Sequence, residues 1–250
     1  MVTVDLNCDL GESFGAWRMG DDDALLPLIS TANVACGFHA GDPQTMLATC
    51  RAAAALGVTV AAHPGYRDLV GFGRRDIAMA PDALRADLLY QVSALTGVAA
   101  AASTVVRALK PHGALYNRAA VDPVTAGVVA EVAAECGLPL VGLAGSAAEA
   151  ACASGGVRFI AEAFVDRGYR PDGTLAPRGE PGAVLTDPPT VAARAVRMVR
   201  EGRVDAVDGT PLTVRVESLC VHSDTPGAVT IARAVRDALR EAGITVQAAA

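Results

Sequence analysis

The chain has only four histidines, and each closes a short apolar run just where a Gly- or Pro-rich turn begins. His39 follows TANVACGF, His63 follows VTVAA, His112 follows VVRALKP and His222 follows ESLCV. An imidazole gains or loses its proton near neutral pH and also binds metals, so four in equivalent places point to acid–base chemistry or ligation. Acids gather in a similar setting. The segment VTVDLNCDLGE places Asp5, Asn7, Asp9 and Glu12 within eight residues. Read as a strand, it turns Thr3, Asp5 and Asn7 to one face and Val2, Val4 and Leu6 to the other. A carboxylate buried without a partner costs several kcal/mol, so such a face demands either dedicated partners or a function.

Other charges sit beside these groups. Lys110, the only lysine of the chain, precedes His112 by two residues. Arg74 and Arg75 lie in the stretch after His63, and Asp224 follows His222 by two. In a sequence that otherwise uses arginine for positive charge, a lone lysine at a strand end reads as a chosen point charge. His112 and His222 are the candidates for proton transfer or phosphate handling. His39 and His63 are candidates to shape a pocket or bind a metal. A divalent metal held by Asp9 or Asp5 with two histidines stays open, because no H-x-x-x-H or H-E-x-x-H pair is present and the ligands would have to converge from separate strands.

Other chemistries are excluded by the letters. There is no G-x-x-x-x-G-K-[ST] and no G-x-G-x-x-G; VGFGRR carries only two of its glycines. Six cysteines show neither C-x-x-C nor zinc-ribbon spacing, which predicts reduced thiols, with Cys8 and Cys36 as packing residues.

The elements that must position these residues alternate regularly. Apolar runs predict strands near 2–7, 31–36, 57–62, 104–109, 138–143, 157–162 and 214–221. Amphipathic stretches predict helices near 22–29, 43–56, 81–102, 122–136, 145–154, 188–201 and 226–242. Asp42-Pro43, Asp122-Pro123 and Asp187-Pro188 read as helix starts, as does Pro81-Asp82. Such alternation predicts a parallel α/β architecture, and about seven units fit a closed barrel, whose active sites lie at the C-terminal ends of the strands. Two long connections, 63–80 and 163–187, read as binding loops or lids. VDAVDGTPLTVRV reads as a hairpin turning at Asp-Gly. With no linker or low-complexity tract, residues 1–250 are expected to form a single domain.

A net charge of −6 and a pI near 5.2 argue against nucleic acid or an anionic membrane as partner. Charge, Gly or Pro interrupts every apolar run well short of the ~20 residues a span requires. The N-terminus lacks the basic-then-apolar layout of a signal peptide, so a cytoplasmic location is expected.

Six separated segments, DLNCDLGESFG, NVACGFHAGDP, AHPGYRDLVGFGRR, LKPHGALYN, AEAFVDRGYRPDGTLAPR and LCVHSDTPGA, closely resemble the LamB/YcsF family of 5-oxoprolinase A subunits. The resemblance runs from residue 5 to about residue 230. It implies a seven-stranded β/α barrel of the glycoside hydrolase/deacetylase type. It also implies ATP-dependent opening of 5-oxo-L-proline to L-glutamate, with ATP and Mg as co-substrate, in a complex with two other 5-oxoprolinase subunits. Site roles carry over to the motif residues: Asp5, Asp9, Lys110, His112, His222 and Asp224 as catalytic groups, and Asn7, Glu12, His39, His63, Arg74 and Glu162 as substrate-binding groups. Related polysaccharide deacetylases hold a metal through an Asp and an H-x-x-x-H pair, which this chain lacks. With no P-loop, phosphorylation is expected to depend on the partner subunits. Two other readings fit the same barrel: a stand-alone metal-dependent amidase or deacetylase, and a non-catalytic lactam-binding subunit.

Overall fold

The computed structural model describes residues 2–250. The first strand, β1 (Val2–Leu10), shows the alternation that its sequence requires. Val4, Leu6, Cys8 and Leu10 point outward and are fully buried against the surrounding layer, while Asp5, Asn7 and Asp9 point inward. A nine-residue strand with both faces covered is characteristic of a parallel sheet wrapped by helices.

Along the chain follow α1 (Asp22–Leu25) with a 3-10 turn, β2 (Thr31–Ala35), α2 (Pro43–Leu56), β3 (Thr59–His63) and α3 (Pro81–Ala101). Then come β4 (Val106–Leu109), α4 (Gly113–Val121), α5 (Pro123–Glu135), β5 (Leu140–Leu143), α6 (Ala147–Gly155) and β6 (Phe159–Phe164). The last part contains α7 (Pro188–Glu201), β7 (Arg203–Asp205), β8 (Pro211–Thr213), β9 (Ser218–Val221), α8 (Ala228–Glu241) and β10 (Ile244–Val246). Strands β1 to β6 pair in sequence order, and β9 pairs with both β6 and β1. The result is a closed barrel of seven parallel strands inside a ring of helices. The seven predicted strands are those seven.

Helix starts follow the capping logic of the sequence. Asp42 accepts hydrogen bonds from the amides of Gln44 and Thr45, Asp122 from Thr125, and Asp187 from Thr190, each with Pro at the first turn. Pro81 also opens its helix, although Ala80 before it supplies no side-chain cap. The predicted hairpin is present as β7 and β8, antiparallel, at the outer end of α7. Two elements went unpredicted. The short α4 starts directly after His112, and β10 adds a parallel edge strand to the first three residues of β1. No helix among the described residues is long and apolar enough to cross a membrane.

The barrel interior is filled in two ways. At the N-terminal end of the strands, Ala61, Ala108, Val141 and Ile160 make a small apolar plug. Above it the filling is polar, and the site begins there. The six cysteines are all free thiols, five of them buried.

Candidate active site

The inward residues of neighbouring strands stack in layers. In the lowest polar layer, Asp5 accepts hydrogen bonds from Ser30 Oγ at 2.6 Å, Thr31 Oγ1 at 2.7 Å and Ser218 Oγ. Burial pushes the Asp5 carboxyl above its usual range even though these three hydroxyls work in the opposite direction. Asp5 thus ties β1 to β2 and β9. It does not reach the open end of the barrel.

The next layer centres on Lys110, which is 2 % exposed. Its Nζ lies 3.0 Å from Asn7 Oδ1, 3.0 Å from Asp9 Oδ1, 2.8 Å from Glu162 Oε1 and 3.1 Å from Cys220 Sγ. Asn7 Nδ2 donates to Glu162 Oε1 at 2.8 Å, and Asn33 Nδ2 bridges Asn7 Oδ1 at 2.7 Å and Asp9 Oδ1 at 2.9 Å. Burial alone would lower the pKa of the Lys110 ammonium; Asp9, Cys220 and Glu162 outweigh it and push that pKa well above the usual lysine value. Asp9 responds reciprocally: burial opposes its charge, but His63 and Lys110 hold its carboxyl well below the usual range. A buried ammonium beside a buried carboxylate is the stable charge state here.

The top layer carries the histidines, with three of them clustered. His39 and His112 stack with ring centroids 3.7 Å apart and planes 4° from parallel, and His63 meets both edge-on. Glu12 lies beneath them, with Oε1 3.6 Å from His39 Nε2 and 3.6 Å from His112 Nδ1. Burial and then the neighbouring imidazoles keep His39 and His112 well below the usual imidazole range, and burial with Asp9 raises Glu12 well above the carboxyl range. The cluster needs close backbone approach. A Cβ on Gly73, whose φ is +63°, would lie 2.7 Å from His39 Cβ and 2.8 Å from His112 Cδ2.

His222 stands apart. Its Nδ1 lies 2.9 Å from Asp166 Oδ1, its backbone N–H donates to Asp166 Oδ2 at 3.0 Å, and its ring stacks on Phe164 at 5.4 Å. Asp166 is fully buried just past the end of β6. Although burial opposes its charge, His222 holds its carboxyl below the usual range. In the neutral ring the pair sets Nδ1–H toward the carboxylate and leaves the lone pair on Nε2.

A cavity of about 580 Å³ opens over this floor. Asp9, His63, Lys110, His112 and His222 line its base, and Arg74, Arg167, Arg170 and Arg178 its walls. Arg74 and Arg178 both pair with Asp224, the latter at 3.5 Å. Buried Arg167, pushed down to about 10 by desolvation, donates from Nε to Ala183 O at 3.1 Å and from Nη2 to Ala176 O at 2.6 Å. It thereby folds the 165–187 connection over the site.

The LamB/YcsF family profile matches residues 4–250. The chain belongs to the LamB/YcsF family. A 5-oxoprolinase A subunit from Mycobacterium avium strain 104 is 56 % identical over 250 residues, covering 99 % of each chain. A crystal structure of the lactam utilization protein from Thermus thermophilus superimposes with a TM-score of 0.93 at 48 % identity, over 99 % of this chain and 100 % of that one. A family 4 carbohydrate esterase from Streptomyces lividans shares the fold, with a TM-score of 0.50 at 13 % identity over 100 % of this chain and 93 % of that one.

Within this LamB/YcsF barrel, the residues expected from the sequence divide by position. Asp9, His63, Arg74, Lys110, His112 and His222 face the cavity. Asn7 and Glu162 contact Lys110 from below, and Glu12 and His39 pack behind His112. Asp224 meets arginines, and the carboxylate on His222 is Asp166 instead. For a metal, Asp5 is too deep to meet a histidine. Asp166, Asn33, Ser218 and Cys220 escaped the sequence reading. Asp166 had a usable signal, since it lies just beyond a strand end inside AEAFVDRGYRPDG. Asn33 follows Thr31 by two on β2 and shares its inward face.

Proposed function

We propose that this chain is the lactam-opening subunit of an ATP-dependent 5-oxoprolinase, converting 5-oxo-L-proline to L-glutamate with ATP activated on two partner subunits. The observation that carries the reading is the cavity's division of labour: a basic imidazole and a buried ammonium–carboxylate group at its base, four arginines at its walls. The relatives named as 5-oxoprolinase A subunits supply the substrate class.

The chemistry needs both halves. A five-membered lactam is an unstrained amide that resists attack, and phosphorylation of its oxygen makes C5 electrophilic while supplying driving force. The wall arginines, above all Arg74 and Arg178, hold the phosphoryl group and the substrate carboxylate. Water then adds to C5, giving its proton to His222 Nε2 while Asp166 stabilises the imidazolium. As the C5–N1 bond breaks, the new C5 hydroxyl loses its proton to become the acyl carbonyl, and the ring nitrogen leaves as the amine carrying both protons of that water. The product, an acyl phosphate, is hydrolysed by a second water to glutamate and phosphate. Lys110 and Asp9 set the electrostatics at the base, and Asp5, Asn7 and Glu162 position them.

Reconstitution with the two partner subunits, following glutamate release, tests the proposal. Turnover is expected only with all three chains and ATP, and His222→Ala should abolish it with assembly intact. Glutamate release by this chain alone without ATP would favour a stand-alone amidase. Unchanged kcat in His222→Ala and Lys110→Met would instead favour a non-catalytic lactam-binding role.

A further inference from the structure

His63 and His112 meet in a way that two neutral imidazoles do not satisfy. Nδ1 of His63 lies 2.7 Å from the backbone oxygen of Lys110, and Nε2 of His112 lies 2.8 Å from that of Phe72. A carbonyl oxygen can only accept, so these two nitrogens carry the ring protons and donate. The remaining nitrogens, Nε2 of His63 and Nδ1 of His112, both present lone pairs, and they face each other at 2.9 Å. Further acceptors crowd the same point. Asp9 Oδ2 is 3.4 Å from His63 Nε2, and Glu12 Oε1 is 3.6 Å from His112 Nδ1. Glu12 Oε1 and both ring nitrogens of His39 are buried without a hydrogen-bond partner among the described residues. Leaving several such groups unsatisfied at one place costs more than folding ordinarily tolerates.

We propose that Glu12, His39, His63 and His112 form a binding site for one divalent transition metal of the zinc class. A single cation takes the facing lone pairs of His63 Nε2 and His112 Nδ1 together with Glu12 Oε1 and one ring nitrogen of His39. The four donor atoms lie within 4.8 Å of one another. Ligands about 2.1 Å from a common ion sit roughly 3.0–3.4 Å apart, and the separations of 2.9 Å for His63–His112 and 3.6 Å for both Glu12–His39 and Glu12–His112 bracket that range. Three imidazoles with one carboxylate suit zinc, cobalt, iron or manganese, and are poor ligands for magnesium or calcium. The second layer is already in place, because His63 and His112 each donate their other N–H to a backbone carbonyl, which fixes tautomer and ring orientation. Glycines at 65 and 73 admit the His39 side chain, since a Cβ would lie 2.8 Å from its Nδ1 at Gly65 and 2.7 Å from its Cβ at Gly73. His63 and His112 also border the cavity, so the ion would stand at its edge. Cofactor and substrate are separate questions here, and the site stands or falls without the lactam reading.

The rival occupant is a proton, shared between His63 and His112. Titration of the chelator-stripped full chain with Zn²⁺, and with Co²⁺ followed by visible absorption, separates the two. One ion per chain is expected, with Co²⁺ bands of a nitrogen-rich site. His39→Ala and Glu12→Gln should weaken binding by at least about 10–100-fold, whereas His222→Ala, which belongs to a different group of side chains with Asp9 and Cys220, should retain it. Absence of stoichiometric binding by the folded wild-type chain overturns the proposal without recourse to any variant. Binding abolished by His222→Ala and indifferent to His39→Ala would overturn it as well.

Discussion

The ring of His222 is held against Asp166, Nδ1 to Oδ1 at 2.9 Å, across 56 residues of sequence. The same carboxylate also accepts the backbone N–H of His222, so ring and backbone are fixed together. Asp166→Asn keeps the shape but offers only one acceptor oxygen. With that oxygen on the backbone N–H, the amide NH₂ meets Nδ1 and turns the ring to the Nε2–H tautomer, which is no base. Steady-state kinetics of the reconstituted enzyme should show kcat reduced by roughly 10²–10⁴-fold with little change in KM.

Asp166 also gives stability a defined pH dependence. Its carboxyl is depressed in the folded chain, so the folded state releases this proton more readily than the unfolded state does. The stabilisation is therefore fully present above the unfolded carboxylate value of about 3.9 and is lost as pH falls through the lower folded value. Urea midpoints of wild type and Asp166→Asn, compared from about pH 6 down to about pH 2, should converge in that acid window. Parallel curves would contradict the assignment.

Lys110 is the counter-charge to two buried carboxylates, Asp9 at 3.0 Å and Glu162 at 2.8 Å. Lys110→Met leaves both without it, and chemical denaturation should report a loss of about 3–5 kcal/mol. Adding Glu162→Gln should recover part of that loss, since the double variant removes one of the stranded charges. Additive losses in the double variant would mean that the two side chains are energetically independent.

Gly73 tests how tightly the histidine cluster is packed. Gly73→Ala combines a positive φ with a Cβ that would sit under 3 Å from His39 and His112. A cost of about 1–3 kcal/mol is expected, seen as a melting temperature lower by about 2–4 °C per kcal/mol. Gly137→Ala, at a similar φ of +65° but with nothing within 4 Å of the added carbon, is the control for backbone strain alone.

Much of this arrangement is legible in the letters. Period-two alternation in VTVDLNCDL separates the outward Val4, Leu6 and Cys8 from the inward Asp5, Asn7 and Asp9, because a strand has only two faces. Asp-Pro pairs mark the starts of α2, α5 and α7, because an aspartate cap and a preset proline φ act within one helical turn. All four histidines lie at or just beyond strand ends, and the barrel gathers those ends at one rim. These are local consequences, and one sequence suffices for them.

What the tertiary structure decided is which groups touch. Asp224 is the nearer acid to His222 along the chain, yet it pairs with Arg74 and Arg178, and Asp166 reaches the ring from just past β6. His112 is two residues from Lys110 in sequence, but its ring stacks on that of the distant His39, over Glu12. Closing the sheet brings β9 against both β1 and β6, and only that closure sets Glu162, Asn7 and Ser218 side by side. Pairwise contact between side chains on different strands depends on register and barrel closure, and neither is encoded in the spacing of a single segment.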